Sequence, residues 1–246
     1  MTLAHIARSK TSPPAHVPLR LKPAPVKLPG AEHFLPDARR PSLPQIHDAA
    51  QGCRGCPLYA NATQAVTAEV GDHTLKLPRT RPSIMLVGEQ PGDQEDLQGH
   101  PFVGPAGKLL DKALAEAGIQ RKDTIITNAV KHFKWTPDPR GKRRLHSKPS
   151  AGEVRACRPW LEKEIELVSP KVIVCLGATA SQSLLGASFR ITRSRGQPVR
   201  STQWAEAVLA TYHPSAILRA PDHQSREHQF GELVIDLKLA HTLAHG

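Results

Sequence analysis

The chain has 246 residues, enough for one domain with extensions or two small ones, and its 39% hydrophobic content with five Phe, three Trp and two Tyr is modest for that length. Its formal net charge of +11 is clustered along the sequence, which favours nucleic acid or another anionic partner over a merely solubilising role. No apolar run approaches the roughly 20 residues that cross a bilayer and the N-terminus has no secretory apolar core; a cytoplasmic protein with no membrane partner is expected, in which four cysteines point to metal or catalysis before disulfides.

Residues 1–45 hold nine Pro and seven Lys or Arg against two acids. No hydrophobic period survives in them, so they read as a disordered basic tail, with residues 46–246 as the folded domain. A short helix is expected to begin near Ile46 and lead into Cys53-Arg-Gly-Cys56. Residues 61–82 look irregular or hairpin-like. Ser83–Val87, closed by Gly88, is a buried strand, and Gly104–Gly118 has helical spacing with a terminal glycine. Thr124–Val130 is a second strand. Ser150 then looks like an N-cap with Glu153 as its capping-box partner, opening a helix to about Val168. Lys171–Leu176 and Glu206–Tyr212 read as strands three and four, followed by helices at Thr179–Leu185 and Gln224–Leu243.

This alternation predicts an α/β fold, a three-layer α/β/α arrangement around a four-stranded parallel sheet. In such sheets ligands bind beyond the carboxyl ends of the strands. That rule selects four clusters: Glu89 to Asp93, Asn128 with the segment after it, Gly177-Ala-Thr179, and His213-Pro-Ser215. Near the first lies Phe102, an aromatic in a Gly/Pro-rich loop that can stack on a base. Asn128 offers a donor and an acceptor to an imide edge such as that of uracil. His213 can donate to an oxygen that becomes negative in a transition state. Each has a bland alternative as well: loop packing for Phe102, a local backbone contact for Asn128, a surface role for His213.

Between the second strand and the Ser150 helix runs KHFKWTPDPRGKRRLHSKP, residues 131–149, with seven Lys or Arg against Asp138 alone. Its prolines and glycine make it an exposed loop suited to phosphate. Cys53, Cys56, Cys157 and His132 form a candidate ligand set. From spacing alone zinc is the simpler occupant and an iron–sulfur cluster the second; Cys175 competes for the fourth place but reads as a small buried residue inside a strand.

Five motifs occur in order: GEQPG from Gly88, EDLQGHPFVGPAGKLL from Glu95, TNAVKH from Thr127, ACRPWL from Ala156 and HPSAILR from His213. Together they resemble the family 4 uracil-DNA glycosylases over about Ile46 to Leu243. Gln90 in place of the usual alanine, His132 in place of a cluster cysteine, and the insert Lys142-Arg-Arg-Leu-His146 are similar to the UdgX branch, in which Ile usually stands at the position of Leu145. The resemblance implies a 4Fe-4S cluster on Cys53, Cys56, His132 and Cys157, in place of zinc. It implies uracil binding by Gln90, Gly92, Asp93, Phe102 and Asn128, with Glu89 and His213 in catalysis. It further implies that His146 bonds covalently to the deoxyribose of uracil-containing DNA. Lys142, Arg143, Arg144 and Arg219 would hold flanking phosphates, and the protein would act as a monomer in DNA repair. A freely turning-over glycosylase and a non-catalytic metal-bearing nucleic-acid binder are the alternatives.

Overall fold

A computed structural model describes residues 28–246. In chain order the helices are α1 (Leu43–Gln51), α2 (Asp93–Gln98), α3 (Pro105–Glu116), α4 (Ala151–Val168), α5 (Ala178–Leu185), α6 (Ile191–Ser194), α7 (Pro214–Leu218) and α8 (His223–His245). The strands are β1 (Glu69–Val70), β2 (Ile84–Gly88), β3 (Thr124–Asn128), β4 (Trp135–Pro137), β5 (Arg144–His146), β6 (Val172–Leu176), β7 (Val199–Arg200) and β8 (Ala207–Thr211).

The expected four parallel strands form the centre of the main sheet, in the order β3-β2-β6-β8. The sheet itself has six strands and is mixed, because β1 and β7 add antiparallel edges to β3 and β8. Each edge strand is two residues long, too short to carry a period in the sequence. The centre is buried on both faces, as parallel strands between helices must be. Alternate residues point to opposite sides: Ile84, Leu86, Val172 and Val174 pack with α3 and α8, while Met85, Val87, Ile173 and Cys175 pack with α4 and α5. Cys175 is buried there as a small apolar residue, and burial pushes its thiol up to about 12.

The Ser150 capping box is present at the start of α4. The first helix begins earlier than expected, capped by Ser42 with Gln45 reaching back to it. The boundary at 45/46 therefore falls inside α1. Residues 1–27 of the expected tail lie outside the described residues, but residues 28–45 are folded on the domain. Ala31 is buried and its N–H donates to the Ala156 carbonyl (2.8 Å), and Gly30 donates to Gly55 (3.0 Å). Leu28, Phe34 and Leu35 cover the core cluster that contains Cys53, Cys56 and Cys157, a few apolar residues that a proline-rich composition conceals. Among the described residues no helix is long and apolar enough to cross a membrane.

Candidate active site

Beyond the carboxyl ends of the strands lies a cavity of about 750 Å³. Glu89, Gln90, Gly92, Asp93, Phe102, Asn128, Arg143, His146, His213 and Arg219 all line it. Lys142 is exposed outside it, and Arg144 is turned away into a different set of contacts.

The floor is built on the strand ends. Gly88 closes β2, and any side chain there would collide with Asn128 Oδ1 and come within 2.6 Å of Phe102 Cζ. Glycine therefore lets the amide and the ring stand side by side. Phe102 itself has φ +56°, a left-handed conformation that an aromatic residue adopts only under constraint. Gly107 at the start of α3 permits it, since a Cβ there would strike the Phe102 carbonyl. Asn128 is 1% exposed, and its Oδ1 has no hydrogen-bond partner among the described residues. An unsatisfied buried acceptor costs about 1–3 kcal/mol, so this oxygen is set for a donor that comes from outside the chain.

His213 is the N-cap of α7, and its ring lies 5.8 Å from that of Phe102. Burial, reinforced by Arg219 and His146, lowers its pKa to about 4, so the ring is neutral. Nδ1 accepts from the Ser215 backbone N–H at 3.1 Å. A backbone amide can only donate, so the ring proton must sit on Nε2. His213 thus carries a fixed N–H donor.

His146 ends β5 and is half-exposed, with Nε2 3.5 Å from Glu89 Oε1. The other Glu89 oxygen accepts from the Thr179 hydroxyl. Burial lowers the His146 pKa, opposed by Glu89 and aided by Arg219.

The basic segment is not a plain loop. Trp135–Pro137 pairs antiparallel with Arg144–His146, so Trp135 faces His146 in register. Asp138 organises the tip: its carboxylate accepts from Arg140 N–H (2.9 Å) and its N–H donates to the Arg143 carbonyl (2.9 Å). Several charges expected to meet phosphate are already paired. Lys131 is fully buried and donates to Glu164 (2.7 Å), Thr127 and the Asn128 carbonyl. Lys134 pairs with Glu153 at 2.8 Å. Arg144, expected on DNA, forms 2.6 Å bridges to both Asp93 and Asp96 and stacks over Phe133 and Trp135. Arg140, Lys142, Arg143 and Lys148 have no acidic partner among the described residues.

Three expected uracil contacts are also otherwise engaged. The Gln90 amide donates to the carbonyls of Lys134 and Ser147 and accepts from Lys134 N–H, each at 3.2 Å. It joins the two ends of the hairpin. Asp93 holds Arg144, and Gly92 N–H donates to Glu95 (3.0 Å). Sequence reasoning assigned no role to Thr179, Ser215 or Asp96, although the first two stand in strand-end clusters it had selected. Their work lies in the partner each one orients, and a partner distant in sequence leaves no local mark.

Cys53, Cys56 and Cys157 share one core cluster, and His132 follows Lys131, whose N–H reaches Cys157; all four are buried and the cysteines are free of disulfides. The thiols are close enough to raise one another electrostatically. Two N–H groups point at sulfur: Lys131 N–H at Cys157 (3.2 Å) and Trp160 Nε1–H at Cys53 (3.3 Å). Burial pushes the Cys157 thiol up to about 12 and holds His132 down to about 4, hence neutral.

Similarity to known proteins agrees with this layout. The family model for the uracil DNA glycosylase superfamily matches residues 76–238. A type-4 uracil-DNA glycosylase of Archaeoglobus fulgidus is 37% identical over 202 residues, covering 78% of this chain and 93% of that protein. One of Thermotoga maritima is 39% identical over 184 residues, covering 74% and 85%. A type-5 uracil-DNA glycosylase of Pyrobaculum aerophilum is 32% identical over 152 residues, covering 54% and 62%. With strand ends, cavity and matched span coinciding, the chain belongs to the uracil DNA glycosylase superfamily.

Proposed function

We propose that this protein excises uracil from DNA and that His146 captures the sugar left behind, in the manner of the UdgX branch. The observation that carries the capture is the placement of the His146 imidazole, Nε2 3.5 Å from Glu89, on the same cavity as the unpartnered Asn128 oxygen. Action as a monomer, which the resemblance implies, belongs to the same proposal.

A base in duplex DNA has to leave the stack or arrive single-stranded before it can enter such a cavity. Phe102 stacks on the uracil ring. Asn128 Oδ1 accepts its imide N–H while the amide nitrogen donates to a neighbouring uracil oxygen. The glycosidic bond breaks with its electron pair leaving on uracil. His213 Nε2–H donates to the uracil oxygen on which negative charge collects, a donor already in place before the reaction. The anomeric carbon becomes cationic. The lone pair of His146 Nε2 forms the new bond to it, and the positive charge passes to the imidazole ring, where Glu89 faces it. An alkylated imidazole is a poor leaving group, so the adduct persists. Arg143, Lys142 and Arg219 would meet the flanking phosphates. Arg144 and Gln90 act instead by holding the hairpin on α2 and the β2 end.

Cys53, Cys56, His132 and Cys157 fit a 4Fe-4S cluster. N–H groups directed at sulfur suit cluster thiolates. The cluster would tie α1, the hairpin root and α4 together.

The similarity to type-4 uracil-DNA glycosylases favours a second reading, a glycosylase that turns over. The two separate on a denaturing gel with an excess of uracil-containing oligonucleotide. Capture predicts a protein–DNA band that survives denaturation and stops at one per protein; abasic sites accumulating beyond one per protein, with no such band, would overturn it. His146→Ser is expected to abolish the band and, with space for water at the same carbon, to release uracil in its place.

A further inference from the structure

The geometry points to a divalent-metal site on the sheet edge, built from Glu69, His73 and His100 and suited to zinc. It lies apart from the cysteine set and from the cavity. Glu69 is held in β1 opposite Ile126, its side chain 4% exposed. His100 Nδ1 lies 2.9 and 3.1 Å from its two carboxylate oxygens, and His73 Nδ1 lies 3.3 Å from Oε2. All three donors fall within 4.8 Å of one another. An ion bound at about 2.0–2.2 Å brings adjacent donors to about 3.0–3.5 Å, close to the separations already present between Glu69 and each ring.

Three further observations favour an ion over a plain pair of hydrogen bonds. Glu69 is a buried carboxylate with no Lys or Arg partner among the described residues, and buried anions are paired or bind metal. His73 has φ +66°, a left-handed backbone that a histidine adopts at some cost, and it is this turn that aims its ring at Glu69. One guanidinium fastens both loops: Arg121 Nε donates to Gly71 O (2.6 Å) and Nη2 to Pro101 O (3.0 Å). The residues that carry the imidazoles are therefore pre-positioned from two directions. Two nitrogens and one carboxylate suit zinc and its neighbours better than calcium or magnesium, which prefer all-oxygen shells. The rings are 39% and 42% exposed, which leaves a fourth position for water.

Position gives the site a consequence. His100 stands two residues before Phe102, so a metal there would brace the strained turn that presents the stacking ring to the cavity. The ligand chemistry does not depend on the glycosylase reading, since it rests on Glu69 and two histidines outside the cavity.

The test is calorimetric titration of Zn²⁺ into the full-length protein with its cysteine site intact, after washing with a chelator. One Zn²⁺ per chain is expected at micromolar affinity or tighter. X-ray absorption at the zinc edge should report nitrogen and oxygen neighbours without sulfur. His73→Ala/His100→Ala replaces two half-exposed side chains; it should melt like wild type without metal, weaken binding at least about 100-fold, and lose the rise in Tm that Zn²⁺ gives the wild type. Sulfur in the zinc shell, binding unchanged in the double variant, or no wild-type binding below millimolar Zn²⁺ would each overturn the site. If the double variant misfolds, the zinc-edge spectrum of the wild type still decides between nitrogen/oxygen and sulfur ligation.

Discussion

The two histidines of the cavity stand on different supports. His213 follows a central strand, caps α7, and is gripped by Ser215, Phe102 and the close approach of Gly177, where a Cβ would lie 2.9 Å from its own. His146 ends a three-residue strand of a separate hairpin, half-exposed, with Glu89 and Arg219 as its charged neighbours. The hairpin reaches the domain through polar ties: Arg144 to Asp93 and Asp96, Gln90 to Lys134 and Ser147, and Trp135 Nε1–H to the Asn61 carbonyl. On the proposed function, reading the base would rest on core packing and attacking the sugar on a clamped attachment. Damage to the hairpin should leave base reading measurable, whereas loss of base reading should take capture with it, and that asymmetry can be attacked from either side.

The largest effect is expected from Asn128→Ala. A site built to hydrogen-bond a substrate edge loses roughly 10³–10⁴-fold when those bonds are removed. Both uracil release and adduct formation should fall together, because capture follows recognition. Single-turnover assays with uracil-containing oligonucleotide measure both. A variant that still captured at wild-type rate would separate the Asn128 oxygen from base reading.

Arg144→Ala attacks the other side. It removes two ion pairs and the guanidinium that covers Phe133 and Trp135. Adduct formation should slow about 10–100-fold through misplacement of His146, while tight binding of uracil-containing DNA remains. Equal losses of binding and capture would show that the hairpin is part of base recognition.

The same contrast explains what was legible in the sequence. The central strands announced themselves through apolar runs closed by glycine, and the rule of strand ends then located Glu89, Asn128 and His213. The hairpin was hidden because Pro137, Asp138 and Gly141 look alike in a loop and in a tight ribbon. Arg144 and Arg143 are adjacent arginines, and nothing local says that one is bound to aspartates some 50 positions upstream while the other lines the cavity. The ties of Gln90 to the hairpin were hidden for a similar reason: its partners are backbone groups that only the fold brings near.

Acidity should sharpen the comparison further. His146 attacks only as the neutral ring, and its pKa lies below the ordinary 6.5. Adduct formation should therefore be flat from pH 7 upward and fall about tenfold per unit once pH drops below the lowered value, where protonation removes the Nε2 lone pair. Rates of single-turnover capture across pH 4.5–9 check this. A rate still climbing between pH 7 and 9 would mean that the ring is held charged by Glu89.

The smallest effect is expected at Arg143, the cavity-lining base of the hairpin with no acidic partner among the described residues. Arg143→Ala removes one candidate phosphate contact and leaves the Arg144 clamp whole. Affinity for DNA should drop only a few-fold at moderate salt, alike for uracil and normal sequences, and the slope of log affinity against log salt should shrink by about one. Adduct formation at saturating DNA should be unchanged. Arg144→Ala should show the reverse pattern, a slower saturated rate with the salt slope intact, since its charge is already neutralised by Asp93 and Asp96. Two adjacent arginines of one strand end then report separately on how the hairpin is held and on what it holds, and a salt slope altered by Arg144→Ala but not by Arg143→Ala would reverse their assignment.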